Sequence, residues 1–249
     1  SKRHPIGIAQ IGKAFRNEVT PRNFIFRVRE MEQMELEFFV KPGTDEEWHQ
    51  FWVKNRLKWW SKQGVSEEKL DLYDVPNKEL AHYSKSTIDI MYKFPHGLEE
   101  LEGVANRTDF DLGSHTKNQS EFSIKAKVVK NSSSNAKLAI QDRETKEWIV
   151  PYVIEPAAGV TRGLLVYLLD AYHEEIVPNA DGADSSRVVM KLHPRLAPIK
   201  VAVLPLVKKE GLPDIAREMV SGFFKAGINA RYDEQHSIGK RYRRHDEAG

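Results

Sequence analysis

The 249-residue chain contains no cysteine, which excludes disulfide staples and thiolate metal sites. It also lacks long apolar runs, since no stretch approaches the ~20 residues that a membrane helix needs. Nor does one sign of charge dominate. With 38 Lys and Arg against 36 Asp and Glu the formal net charge is +2, so any contact with RNA has to come from local basic patches. The opening residues have no apolar core of the secretory kind, and the expected address is the cytoplasm, with no membrane partner. His82, His96 and His115 show no metal-ligand spacing, and no zinc site is expected. What the chain does have is 40% hydrophobic residues with five Trp, and 30% charged residues. That suits a well-buried core beneath a surface of mixed sign, in one large domain or one and a half ordinary ones.

Periodicity places the first elements. Residues 6–40 read as two strands joined by a turn around Val19-Thr-Pro-Arg-Asn-Phe24. In the second strand Met34, Leu36, Phe38 and Val40 share one parity, while Glu35 and Glu37 share the other. Residues 45–63 read as a helix, with Thr44 and Glu47 spaced as a capping box and Gly64 as the C-terminal cap. Its Trp48, Phe51, Trp52, Leu57, Trp59 and Trp60 form a core face in one reading and a base-stacking platform in the other. A polar connection follows over 63–77, then the apolar run Ile88–Tyr92. Residues 117–148 look like a peripheral insertion, with β-like stretches at Ile124–Val129 and Lys137–Ile140. Val150–Ile154 reads as a buried strand that runs through a Glu155-Pro-Ala-Ala-Gly159 loop into a helix over about 160–174. Leu164, Leu165, Leu168, Leu169 and Tyr172 are expected to bury one face of that helix. Beyond His193-Pro-Arg-Leu-Ala-Pro198, an apolar strand over 199–206, a helix over 214–225 and a strand from Ile228 predict the opening of a parallel α/β unit. Both ends of the chain read as cut within elements.

Three segments carry candidate chemistry. Phe15-Arg16-Asn17-Glu18 closes the first strand, and a guanidinium and carboxylate on one face could hold a phosphate and an amine, or simply pair with each other. Glu155-Pro156-Ala157-Ala158-Gly159-Val160-Thr161-Arg162 joins a strand to a helix. Small residues there admit a close ligand, and an Arg in the first helical turn suggests an anionic partner; an exposed, snorkelling Arg is the alternative. In the third segment, Glu99 to Asp109, alternation suggests that Glu100 and Glu102 form a carboxylate face. That face is either solvated or bridges phosphates through Mg²⁺.

Taken together, these segments resemble one family. GIAQIGKAFRNE (7–18) and TPRNFIFRVREMEQMELEFFV (20–40) are similar to the motif 2 hairpin of class II aminoacyl-tRNA synthetases, specifically of homodimeric glycyl-tRNA synthetases. FPHGLEELEGVANRTDFDLGSHTK (94–117) and PYVIEPAAGVTRGLL (151–165) resemble that family's later strands and motif 3. LAPIKVAVLPL (196–206) resembles the first strand of its anticodon-binding domain. The likeness runs over nearly the whole chain and is weakest at 117–148.

The resemblance implies an α+β catalytic core on an antiparallel sheet over residues 1–195, then part of an α/β anticodon-binding domain over 196–249. Motif 1, with its dimer contact, is expected upstream of Ser1. The implied activity joins glycine to tRNA(Gly) through glycyl-adenylate, with ATP as substrate and Mg²⁺ as cofactor, in a homodimer. Arg16 would hold the α-phosphate and Arg162 the γ-phosphate. Asn17 and Glu18 would border the nucleotide, as would Phe26 (stacked on the base), Arg27, Val28, Arg29, Glu30 and Met31. Glu100, Leu101, Gly159, Val160 and Thr161 would complete that border, with Glu100 or Glu102 on Mg²⁺. Arg107 would reach the reacting centre. The glycine pocket would be Met31, Glu32, Gln33, Met34 and Glu35 with Glu155, Pro156, Ala157, Ala158 and Gly159, where Glu35 and Glu155 take the ammonium. Ala157 departs from the family's usual Ser. The basic run Lys240, Arg241, Arg243 and Arg244 would face either tRNA or solvent. A synthetase-like protein binding ATP or RNA without charging is the alternative. It would be expected to lose Arg16, Arg162 or Glu155, and the chain keeps all three.

Overall fold

The computed structural model describes residues 5–178 and 184–249. They fall into two compact units, one formed by the chain up to Ser61 with Ser66–Leu165, the other by Lys62–Val65 with Val166–Gly249. The first is built on a six-stranded sheet of β1 (Ile6–Phe15), β2 (Glu30–Val40), β3 (Leu70–Asp74), β4 (Ser86–Phe94), β5 (Gly97–Thr108) and β8 (Tyr152–Gly159). The spatial order is β1-β2-β8-β5-β4-β3 and each neighbouring pair is antiparallel.

One sheet face packs on helix α1 (Asp45–Lys62). Val53 meets Val40, Val104, Tyr152 and Ile154 in a buried cluster, flanked by Phe38, Trp48, Trp52 and Ile88. The aromatic helix is therefore core, and Trp60 is fully buried. The capping box does not form. The Thr44 hydroxyl instead donates to the Lys41 carbonyl at 2.8 Å, while the Thr44 carbonyl accepts from Trp48 N. Asp45, buried at the start of the helix, accepts from the Asn106 amide (2.8 Å) and the Lys85 ammonium (3.0 Å). Burial alone would raise its pKa, but these donors hold the carboxyl below its ordinary value.

β5 carries an irregularity that redistributes its side chains. Ile90 pairs with Glu102 and Met91 with Glu100, so Leu101 is one residue too many on β5. Such a bulge breaks the period of two. Leu101 and Glu102 both turn inward at 1% exposure. There Glu102 accepts from Arg56 Nε and from the Trp60 indole, each at 2.6 Å. The single carboxylate face expected for Glu100 and Glu102 is thus split across the two sides of the sheet.

Other expectations also change. The polar connection contains the edge strand β3. Ile124–Val129 forms no strand and bends at Ala126, because its amides at Lys125 and Ala126 are taken by the buried Asp109 carboxylate (2.7 and 2.8 Å). The insertion's strands are the short pair β6 (Ile140–Gln141) and β7 (Trp148–Ile149), following helix α2 (Phe110–His115), and Lys41 reaches Asp142 at 2.7 Å. Residues 155–159 are the end of β8, with Ala157 and Ala158 paired on both sides, and form no loop. Helix α3 (Val160–Ala171) stops before Tyr172. It buries Gly163, Val166 and Ala171, while Leu164 and Leu168 are exposed. Gly163 is needed at its position, since a Cβ there would stand 3.0 Å from the Trp60 ring.

In the second unit β9 (Tyr172–Pro178), whose residues 172–174 were expected to end a helix, pairs antiparallel with β10 (Asp184–Met190). The parallel strands β11 (Val201–Val203) and β12 (Ala230–Tyr232) flank helix α4 (Leu212–Lys225), the expected strand–helix–strand unit. β11 is shorter than expected, bounded by Pro198 and Pro205, which have no N–H to pair. Helix α5 (Ile238–Ala248) carries the basic run, much of it already engaged. Arg241 is buried and donates to the Pro205 carbonyl, Arg243 pairs with Glu247, and Arg244 donates to the Gln235 carbonyl and approaches Asp233.

Trp60→Phe removes a donor to a buried carboxylate oxygen, and leaving such a group unsatisfied costs about 1–3 kcal/mol. The denaturant midpoint is expected to fall accordingly, whereas Trp59→Phe, at the half-exposed neighbour, leaves it nearly unchanged. Equal midpoints for the two variants would contradict the role given to the Trp60 indole.

Candidate active site

The opposite face of the sheet is the wall of a cleft of about 640 Å³. Its floor is made by residues of one parity on adjacent strands. Gln33 pairs with Gly159, Glu35 with Ala157, Ala157 with Gly103, and Glu155 with Ala105. Gly103, Ala105, Ala157 and Gly159 keep this floor low, so a ligand can lie against the backbone. The rim comes from the β1–β2 connection (Arg16, Glu18, Phe26 to Val28) and from Val75, Glu79 to Ala81 and Tyr83.

At one end of the strands Phe26 packs edge-on against Phe94 and His96, both at 4.9 Å between centroids. The Arg162 guanidinium lies 4.9 Å from the Phe26 centroid and donates to the carbonyls of Glu100 (2.6 Å) and Phe26 (3.2 Å). β1 ends at Phe15, so Arg16 and Glu18 sit in the connection and not on a strand as expected. Glu18 is occupied by Arg27 at 2.8 Å, whereas Arg16 has no side-chain partner among the described residues and is exposed. A cation at a cleft rim with no carboxylate of its own is available to an anion.

At the other end Arg107 is gripped on three sides. It donates twice to Asp111 (2.7 and 2.9 Å), meets Glu155 at 3.0 Å, and lies 3.8 Å from the Tyr83 ring centroid. Burial opposes its charge, yet these carboxylates raise its pKa further. Burial also lifts Glu37, and the adjacent Glu155 adds to the shift; Glu37 keeps its proton and hydrogen-bonds Glu155. Glu155 is raised by burial, with Arg107 opposing. In the β2–β8 register Glu37 falls opposite Glu155. The arrangement therefore concentrates negative potential at Glu155 and Glu35, where a small cation would be welcome.

A second carboxylate pair lies on the floor. A Cβ at Gly103 would stand 3.3 Å from Asp89 Oδ1 and 3.8 Å from Glu100 Oε1, so the two side chains converge above that glycine. Burial and then the Glu100 charge push Asp89 up to about 7. A divalent cation between them would relieve both effects, so oxygen ligands here suit Mg²⁺. Glu102 cannot take part, being committed to Arg56 and Trp60 on the far face.

Of the expected site residues, the cleft brings together Arg16, Glu18, Phe26, Arg27, Val28, Glu30, Met31, Glu32, Gln33, Glu35, Glu100, Arg107, Glu155, Ala157, Gly159, Thr161 and Arg162. Asn17, Met34 and Val160 are not among its lining residues. Leu101, Pro156 and Ala158 turn into the interior. Arg29 braces the hairpin by donating to the carbonyls of Glu18 and Val19. Sequence reasoning missed Asp89, Tyr83, Asp111 and Glu37. An Asp inside the apolar run Ile88–Tyr92 and the shared parity of Glu35 and Glu37 were the available signals.

Residues 1–171 match the model of the tRNA synthetase class II core domain (G, H, P, S and T). The chain belongs to the class II tRNA synthetase core family. Residues 200–249 match the anticodon binding domain model, so this class II core is followed by an anticodon-binding module. Among curated proteins the class II chain is 57% identical to a glycine–tRNA ligase of Thermus thermophilus over 251 residues, all of this chain and 49% of that relative. It is 56% identical to one from Deinococcus radiodurans (100% and 49%) and 52% identical to one from Thermobifida fusca (98% and 50%). The chain thus spans about half the length of these relatives.

Because Glu37 binds its proton more tightly when folded, it contributes stability at low pH that is lost as pH rises through neutrality. Glu37→Gln keeps the hydrogen-bond donor and removes that dependence. Between about pH 5.5 and about pH 8.5 the wild-type melting temperature should fall by about 2–4 °C more than that of the variant. Parallel pH profiles would contradict the shared proton.

Proposed function

We propose that this chain is the catalytic half of a glycine–tRNA ligase, with its catalytic domain reaching to about residue 195 and its anticodon-binding part beginning at 196. The observation that carries this reading is the pairing of a carboxylate-rich, low-floored pocket with an anion-ready rim on the same sheet face. The names of the relatives, similar over the whole chain, support the same reading.

Glycine would enter at the Glu155 end, its ammonium between Glu35 and Glu155, with Arg107 holding Glu155 in place. ATP would lie along β8 and β5 toward Phe26 and Arg162, the base against Phe26 and the phosphates toward Arg16, Arg162 and Glu100. The glycine carboxylate attacks the α-phosphorus and pyrophosphate leaves, giving glycyl-adenylate. The glycyl group then passes to the terminal ribose of tRNA(Gly). No protein nucleophile is required, so catalysis is positioning together with stabilisation of charge on the phosphorus oxygens. Mg²⁺, held by Glu100 and Asp89, would neutralise phosphate charge. Arg162 has to leave the Phe26 ring for a base to stack there, a rearrangement its two carbonyl hydrogen bonds would resist. Ala157, between Glu35 and Gly103, lacks the hydroxyl of the family's usual Ser, so the wall against larger amino acids is thinner here. A homodimer in the cytoplasm belongs to the same proposal. Among the described residues no helix is long and apolar enough to cross a membrane.

The test is Arg16→Ala in the full-length protein. Glycine-dependent ATP–pyrophosphate exchange is expected to drop by ~10²–10³, as for loss of a contact to developing charge. Exchange within threefold of wild type would remove Arg16 from the reaction.

A further inference from the structure

Beside the cleft lies a second groove of about 390 Å³, and Tyr83 lines both. It adjoins the Arg107–Glu155 end, away from Phe26 and Arg162. Its residues include His82, Tyr83, Phe110, Lys85, Lys125 and Lys127, and no acidic residue lines it. The three rings sit together, His82 being 5.4 Å from Tyr83 and 5.3 Å from Phe110 between centroids. Lys85 is held by Asp45 and Glu46. Lys125 and Lys127 are different: both are exposed, and neither has a partner among the described residues.

Their projection is built into the fold. Asp109, 2% exposed, fixes the backbone at Lys125 and Ala126. Ile124 and Val128 turn inward onto Gly113, where an added Cβ would meet them at 3.0 and 3.2 Å. Exposure alternates along 124–128, so Lys125 and Lys127 are both exposed while their neighbours are half-buried. A buried carboxylate, a glycine contact and two apolar side chains thus hold the segment that presents two unpaired ammonium groups beside the exposed His82 ring.

We propose that this groove receives the single-stranded 3′ end of tRNA on its way to the adenylate, with Lys125 and Lys127 on its phosphates and His82 stacked on a base. This rests on the ligase reading above. Cations that track a backbone beside aromatic faces are the chemistry that holds unpaired nucleotides. The groove meets the cleft at Tyr83, whose ring carries Arg107 at the proposed glycine end, so the RNA would approach without displacing ATP.

The experiment uses the full-length protein carrying Lys125→Ala and Lys127→Ala together. Glycine-dependent ATP–pyrophosphate exchange, which involves no RNA, is expected within twofold of wild type. The kcat/KM for charging tRNA(Gly) is expected to fall at least about tenfold, with the loss shrinking as salt rises. Lys125→Arg with Lys127→Arg should restore charging. In direct binding, the difference between wild type and the alanine variant should vanish on tRNA trimmed of its single-stranded 3′ end. Unchanged charging by the alanine variant would overturn the proposal, as would a binding defect that persists on the trimmed tRNA. Absence of glycine-dependent exchange in the wild type would instead overturn the ligase reading, so the two failures are distinct.

Discussion

Glu102 sits beneath α1 with its two oxygens taken by Arg56 and Trp60, and much of the site depends on that position. A buried carboxylate is tolerated only when charged and polar donors compensate its lost hydration. To deliver it to the helix side, β5 admits one extra residue at Leu101. From the bulge onward the alternation is reset. Gly103, Ala105 and Arg107 face the cleft, while Val104 and Asn106 face α1, where Asn106 donates to Asp45. The same ion pair that docks the helix therefore decides which residues of β5 meet a ligand.

The other face carries an electrostatic burden complementary to the proposed reaction. Asp89 faces Glu100 and Glu37 faces Glu155, and in each pair burial, then the neighbouring carboxylate, lifts a pKa value. Arg107 offsets part of it at the glycine end and is itself spoken for by Asp111 and Glu155. An ammonium group at one end and a divalent cation at the other would relieve both pairs. Arg16, by contrast, is a cation with no side-chain partner among the described residues, as an anion site requires.

Much of this was legible beforehand. Parity marked β2, aromatic spacing marked α1, and the contiguous segments around Arg16, Arg107 and Arg162 carried the family likeness. What could not be read was which way side chains point after an irregularity. Strict alternation put Glu100 and Glu102 together, and one extra residue separated them. Residues 124–129 alternate as a strand would, yet Asp109 supplies the hydrogen bonds that a neighbouring strand would otherwise give. Asp89 lies outside the motif segments and reaches the cleft through the β4–β5 register, opposite Gly103.

The central claim is that the low floor and the Glu35–Glu155 pair make this face a site for glycine. The direct measurement is ATP–pyrophosphate exchange by the full-length protein with each amino acid in turn. Exchange should depend on glycine, with kcat/KM for alanine at least about tenfold lower because its methyl meets the Ala157 wall. Equal exchange with alanine, or none with glycine, would contradict it.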